Sequence, residues 1–295
     1  MLLNKRISIS YFLRLIWVDV AIISAYAILS SFMDQRAFFK QIVIPLSFPG
    51  IVGTLVSLLL AFRTSQSYER WWEARIVWGA IVNDSRTLIR QLLQFLPDTP
   101  AARKEVQDFA ERQSIWCFAL GESLRQSGSS VRVQQYLSHH QVESINVPNA
   151  LLLAHSTQIA HVSEQFGINP NKQVQLDATL ARLTEAMGQC ERIKNTIFPK
   201  SYSLLIHFLI YVFLTILPFG IENVSLEVEV ILSILLPTLF ITIERTAILM
   251  QDPFENRPTD TPVTKLAQTI ENNLREMTGL PPVEQIPYEG AYYVM

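Results

Sequence analysis

The stretch IVIPLSFPGIVGTLVSLLLAF, Ile42 to Phe62, carries no charged side chain across 21 residues. About 20 mainly apolar residues cover the roughly 30 Å hydrocarbon core of a bilayer as a helix, so this segment predicts a membrane span. Three further stretches read the same way. Tyr202 to Ile221 carries only His207, and Ile9 to Met33 is interrupted by Arg14 and Asp19. Val228 to Met250 has Glu229 near one end and Glu244 and Arg245 near the other. Its uncharged part, Val230 to Ile243, has 14 residues, which alone would fit a buried core helix. The expectation is four spans, two before a long polar region and two after it.

A secretory signal peptide competes for the first stretch, because Lys5 and Arg6 precede it and Ala25-Tyr26-Ala27 imitates a cleavage site. Arg14 and Asp19 break the run, and apolar residues continue past the cut, which favours a retained span. Composition agrees with a membrane protein carrying a substantial soluble part. Of 295 residues, 17% are charged against roughly 25% in soluble globular chains. A net charge of −2, from 24 basic and 26 acidic side chains, argues against a nucleic-acid partner, which needs a concentrated basic face. Cys117 and Cys190, with no CxxC spacing, exclude a disulfide framework and a cysteine zinc site.

Basic residues set the orientation. Lys5 and Arg6 precede the first span, Arg63, Arg70 and Arg75 follow the second, and Lys194 and Lys200 precede the third. The link between the last two spans carries Glu222, Glu227 and Glu229 and no basic residue, although the first link has Arg36 and Lys40. Both termini and the middle region are therefore expected in the cytoplasm, with the chain in the inner (cell) membrane. The expected organisation is 1–64 for the first two spans, 65–200 for a helical cytosolic region, 201–250 for the last two spans, and 251–295 for a cytosolic C-terminal segment. Breakers divide the middle into helices at 65–95, 101–125, 131–143, 149–165 and 171–195, and the tail from Leu280, with Pro281, Pro282 and Pro287, reads as extended. No stretch alternates like a strand. The fold class is all-α.

Gly53, Ser57 and Ala61 recur every four residues, a small-residue stripe of the kind that lets membrane helices approach closely. Thr54, Leu58 and Phe62 form the adjoining stripe. If the small stripe seats the helix against a symmetry mate, the other faces a central axis, where apolar rings hold off water and ions by dewetting. The competing reading is that all six residues pack against other spans of the same subunit, and periodicity alone favours it.

The run FRTSQSYERWWEARIVWG, Phe62 to Gly79, resembles the bacterial and plant-like branch of the bestrophin family, through Arg63, Tyr68, Trp71, Trp72, Glu73, Ala74, Arg75, Trp78 and Gly79. Gly188-Gln189-Cys190-Glu191-Arg192-Ile193, followed by Phe198-Pro199 and Tyr202, is similar to that family's helix leading into its third span. Gln251-Asp252-Pro253-Phe254 resembles its D-P-F segment. The resemblance implies a homopentameric ion channel with one central pore, partnered by itself, the bilayer and the permeating inorganic ions. It implies a neck at Thr54, Leu58 and Phe62, a lower aperture at Phe198, and Arg63 at the cytosolic mouth of the pore. Thr54 departs from the bulky apolar residues usual at the neck and should wet more easily. Phe198 replaces a smaller aliphatic residue and is expected to close the aperture more tightly or change which ions pass.

Animal members carry a calcium clasp after the D-P-F segment. Here the equivalent run offers only Glu255 and Asp260 with Arg257 between them. Calcium takes six to eight oxygens, so neither a metal nor another cofactor is expected. A membrane enzyme is disfavoured as well: His139 and His140 are adjacent, His155 and His161 lie six apart, and HExxH and GxSxG are absent. His207, ionisable within a span, stays open as a functional residue or a neutral packing one. The aromatic group Tyr68, Trp71, Trp72 and Trp78 suits an interface belt or a subunit contact. Small anions such as chloride are the expected cargo. A cation channel of the same architecture and a membrane-anchored helical scaffold are the alternatives.

Overall fold

The computed structural model describes residues 9–34, 44–196, 198–221 and 225–283, with side chains from Leu13 onward. Lys5, Arg6, Arg36, Lys40, the start of the second span at Ile42, Glu222 and the tail beyond Val283 lie outside the described residues. Everything regular among the described residues is helical: α1 Ile9–Asp34, α2 Ser47–Phe95, α3 Pro100–Leu124, α4 Val131–His139, α5 Val147–Phe166, α6 Pro170–Asn195, α7 Lys200–Ile216, α8 Leu226–Gln251 and α9 Val263–Met277. A short 3₁₀ turn at Pro218–Gly220 follows α7. Two compact units result, one from 9–70 with 198–251 and the other from 71–196 with 252–283.

Helix ends fall where the chain supplies side-chain acceptors. Thr99 takes the amide of Ala102 at 3.3 Å to start α3, Asn146 that of Asn149 at 3.1 Å to start α5, and Asn169 that of Asn171 at 2.9 Å to start α6. Each is followed within two residues by a proline, which costs nothing in the first turn because its missing N–H would have no helical partner. α5 stops at Gly167, which adopts φ +63°, the left-handed region that a side chain resists. Pro49 sits in the first turn of α2 for the same reason.

One expectation about the elements needs correction. The second span and the helix from Ser65 are one 49-residue helix, because nothing between Phe62 and Phe95 interrupts the backbone ladder. After the last span α9, not assigned from the sequence, packs against α3 through Val263, Ala267, Ile270 and Leu274. These contact residues recur at three and four, the helical period.

In the first unit α1 packs on α7 and α8, and Ile23, Ala27, Val56, Leu60, Ile206, Ile210, Leu214 and Ile241 form a core. Leu13, Trp17, Phe32, Leu204, Phe208, Leu235 and Leu239 point outward. An apolar exterior around an apolar core is what a bilayer solvent demands. α1, α2 and α8 are each long and apolar enough to cross a membrane. α7, with 17 residues, covers about 25 Å at 1.5 Å per residue. Pro237 lies inside α8, an interruption tolerated in membrane helices where neighbours satisfy the freed carbonyl.

The second unit has a conventional interior. Trp78, Ile81, Leu88, Ile89 and Leu92 of α2 meet Phe109, Trp116 and Leu120 of α3 and Leu151 of α5, all buried. Trp78 is thus a core residue and not part of an interface belt, whereas Tyr68 and Trp72 are half exposed. Cys117 and Cys190 are free and buried, and burial pushes both thiols up to about 12, far from disulfide or metal chemistry.

Candidate functional site

α2 has two faces within its own unit. Val56, Leu60, Arg63 and Ser67 are buried, at the four-three-four spacing of one helical stripe. On other sides Thr54, Ser57, Leu58, Ala61 and Phe62 are exposed, with Leu58 at 53% and Phe62 at 57%. Gly53 is the exception among the six positions singled out from the sequence. A Cβ placed there would lie 3.1 Å from the Phe213 ring of α7, so this glycine serves packing within the protomer. The other five side chains have no such cover. Ser57 and Ala61 line an almost wholly apolar groove of about 510 Å³, closed on the α8 side by Phe240 and Ile243.

The hydroxyls of Thr54 and Ser57 are turned to the backbone. Thr54 donates to the carbonyl of Gly50 at 2.8 Å and Ser57 to that of Gly53 at 2.8 Å. Thr54 therefore offers water an acceptor but no donor, which makes it a less wettable ring than a free hydroxyl would.

Arg63 and Phe198 pack together within the protomer. Arg63 is 2% exposed and donates through Nη1 to Glu244 Oε1 at 2.7 Å, with Glu244 completely buried. The Arg63 guanidinium also lies 5.0 Å from the centre of the Phe198 ring, which meets Tyr202 edge-on at 5.7 Å. Phe198 is 8% exposed, so its ring packs against Arg63 and Tyr202 and does not project into open space. A guanidinium removed from water needs both a carboxylate and a polarisable face, and these residues supply them. The other oxygen of Glu244 is 3.1 Å from His207 Nε2, and His207 Nδ1 is 3.0 Å from the carbonyl of Ser203. Asp19 of α1, which interrupts the first span, pairs with Arg245 of α8 at 2.8 Å. Sequence reasoning singled out Arg63 and His207 but not Glu244. An acid inside a span was the available signal, since such a group faces a partner rather than lipid.

In the second unit the three sequence motifs meet. Glu73 pairs with Arg192 at 2.6 Å, Lys194 with Asp252 at 2.6 Å, and Trp71 donates to the carbonyl of Thr259 at 2.8 Å. Asp252 also accepts the amide of Phe254 at 3.0 Å, which bends the D-P-F segment and buries Phe254. The two acids that follow are engaged locally. Glu255 pairs with Arg257, and Asp260 accepts the Arg257 amide at 3.0 Å. Burial pushes the Asp260 carboxyl up to about 6. Among the described residues no group of three or more His, Cys, Asp or Glu side chains is placed to hold a metal ion. His155 is packed flat on Phe109 at 5.3 Å, and burial holds it well below its ordinary titration range.

Regular structure that is helical throughout the described residues, with an apolar exterior on one unit and a buried apolar core in the other, defines a helical integral membrane protein. The family model described as Bacterial/Fungal Bestrophin protein matches residues 6–276, and the chain belongs to that family. A voltage-dependent anion channel-forming protein of Ralstonia nicotianae is 29% identical over 235 residues, 78% of this chain and 76% of its own. One of the same name from a Nostoc species is 27% identical over 254 residues, 82% of each chain. The crystal structure of a bestrophin homolog from Klebsiella pneumoniae superimposes with a TM-score of 0.82 at 25% identity, covering 90% of this chain and all of that one. The relatives from Ralstonia and Nostoc are named as channel-forming proteins, not as enzymes.

Proposed function

We propose that this protein is an anion channel that passes small anions such as chloride passively, as a homopentamer around one central pore. It works as a channel and not as an enzyme. The observation that carries the reading is the uncovered face of α2, where Thr54, Leu58 and Phe62 stand exposed beside Ser57 and Ala61. A membrane helix with one face packed in its own protomer and the next presenting a threonine and two bulky apolar side chains suits a symmetric assembly. Ser57 and Ala61 then seat the neighbouring subunit, and Thr54, Leu58 and Phe62 form successive rings about 6 Å apart along the axis. The bulkier apolar side chains of Leu58 and Phe62 narrow the pore and gate it by dewetting. The names carried by the relatives from Ralstonia and Nostoc support the anion assignment. α7 joins α1, α2 and α8 as the fourth span, with both termini on the cytoplasmic side of the inner membrane. Conduction in this reading calls on no metal or other cofactor, because Glu255 and Asp260 are held by their own segment.

The test is the reversal potential of purified protein in a planar bilayer under a chloride gradient, with the oligomer's mass measured alongside. Reversal near the chloride potential from a five-protomer assembly is the expected result. Reversal near the cation potential overturns the anion assignment, and folded oligomers that pass no current point to a membrane scaffold.

A further inference from the structure

The neck residues Thr54, Leu58 and Phe62 contain no charge, so they cannot by themselves choose the sign of a permeating ion. The nearest fixed charge on α2 is Arg63, the residue after Phe62, and it is buried against Glu244, beside a His207 that is 35% exposed. The geometry of that cluster requires a proton that its heavy atoms do not display. His207 Nδ1 faces the Ser203 carbonyl at 3.0 Å and Nε2 faces a Glu244 carboxylate oxygen at 3.1 Å. Carbonyl and carboxylate oxygens only accept, whereas a neutral imidazole has one donor nitrogen and one acceptor. Glu244 Oε2 is buried and no donor is aligned to it, so an ionised acid would leave that oxygen unsatisfied 3.1 Å from a ring nitrogen. A proton on either of these two atoms relieves the contact.

From this arrangement we infer that Arg63, Glu244 and His207 form a proton-binding cluster whose net charge sets the anion preference of the adjoining neck. This rests on the channel reading above. The count is simple: Arg63 contributes one positive charge and Glu244 one negative, so the shared proton takes the cluster from neutral to a net charge of +1. Other charged or titratable groups facing it do not alter that count. Arg245 is matched by Asp19 at 2.8 Å, and the Tyr202 hydroxyl donates to the Leu59 carbonyl at 3.0 Å. Repeated around a symmetric neck and poorly screened in a low-dielectric surround, this charge favours anions over cations.

Two conservative variants bracket the wild type. In Glu244→Gln the amide oxygen still accepts from Arg63 and its NH₂ donates to His207, so Arg63 is left uncompensated without any extra proton. In His207→Gln the amide donates to Glu244, and the cluster stays neutral. The anion-to-cation permeability ratio, from reversal potentials between about pH 5.5 and about pH 9, should then behave in three ways. Wild type falls by about threefold or more across that range, Glu244→Gln stays high throughout, and His207→Gln stays low throughout. A wild-type ratio that does not change with pH overturns the inference, as does a His207→Gln variant that keeps the wild-type slope. If Glu244→Gln fails to fold, wild type and His207→Gln decide the question alone. Nitrogen-15 spectra of histidine-labelled protein in lipid nanodiscs follow the proton directly. A His207 resonance that shifts with pH in step with the permeability ratio is expected, and a resonance indifferent to pH overturns the inference even where current flows. No current from folded wild type overturns the channel reading and removes the selectivity role with it.

Discussion

Replacing Gly53 by valine tests whether this position packs against its own protomer. An ideal Cβ at Gly53 would lie 3.1 Å from Phe213 Cε2, with two more ring atoms at 3.6 and 3.7 Å. Carbon atoms settle at about 3.5 to 4.0 Å, so the ring would have to retreat by roughly 0.5 Å before the two γ-methyls are counted. It has little room to do so. Phe213 is 5% exposed and meets Phe240 edge-on at 5.3 Å. Overpacking of this kind costs about 1–3 kcal/mol, and valine, being β-branched, recovers less of the glycine helix penalty than alanine would. Taking about 2 kcal/mol, the thermal midpoint of the detergent-solubilised oligomer should fall by roughly 4–8 °C, read by size-exclusion chromatography after heating. Phe213→Leu removes the opposing ring edge, so the double variant should lose less than the sum of the singles by about 1 kcal/mol. Strict additivity would refute the packing argument. So would an oligomer that falls into stable monomers, because Gly53 would then be seating a neighbouring subunit.

Leu58→Ala should raise single-channel conductance several-fold, and unchanged current would remove that ring from the gate. Phe198→Ala takes away a buried ring and the face beneath Arg63, at about 3 kcal/mol, so it should lower the thermal midpoint and leave permeability ratios between small and large anions unchanged. Altered ratios in a variant of wild-type stability would return Phe198 to the aperture. Asp260 keeps its proton up to about pH 6 in the folded chain, above the 3.8 of an unhindered aspartate. Between those values the unfolded chain ionises first, so stability falls as pH rises through the window, by on the order of 2 kcal/mol. The midpoint of wild type should therefore drop relative to Asp260→Asn between pH 5 and pH 7, and parallel behaviour of the two proteins would contradict the burial argument.

Much of the architecture was legible because the chain marks it locally. Thr99-Pro100, Asn169-Pro170 and Gly167 end or begin helices by their own backbone chemistry, and the charge-free run to Phe62 identifies its solvent. The continuity of α2 was missed because a change of solvent at Arg63 looks like a boundary, yet the backbone ladder is indifferent to polarity. α9 was not assigned from the sequence, although Val263, Ala267, Ile270 and Leu274 carry the helical period. The site was legible in position and not in orientation. Position alone put Arg63 at a pore mouth, while its partner Glu244 lies 181 residues away, a distance no local pattern spans. The same holds for Phe198, whose packing against Arg63 and Tyr202 no local pattern reveals.

The meeting of Glu73 with Arg192, Lys194 with Asp252 and Trp71 with Thr259 has a consequence for how proteins of this kind diverge. Trp71, Glu73, Arg192 and Asp252 are among the residues by which the chain is recognisable, and these pairs act as clasps holding distant segments of the second unit together. None of them is a neck position. Natural variation can therefore rewrite Thr54, Leu58 and Glu244 while these clasps stay intact. Kinship read from the clasps is thus inherited separately from cargo, and two chains with identical hallmarks can carry ions of opposite sign.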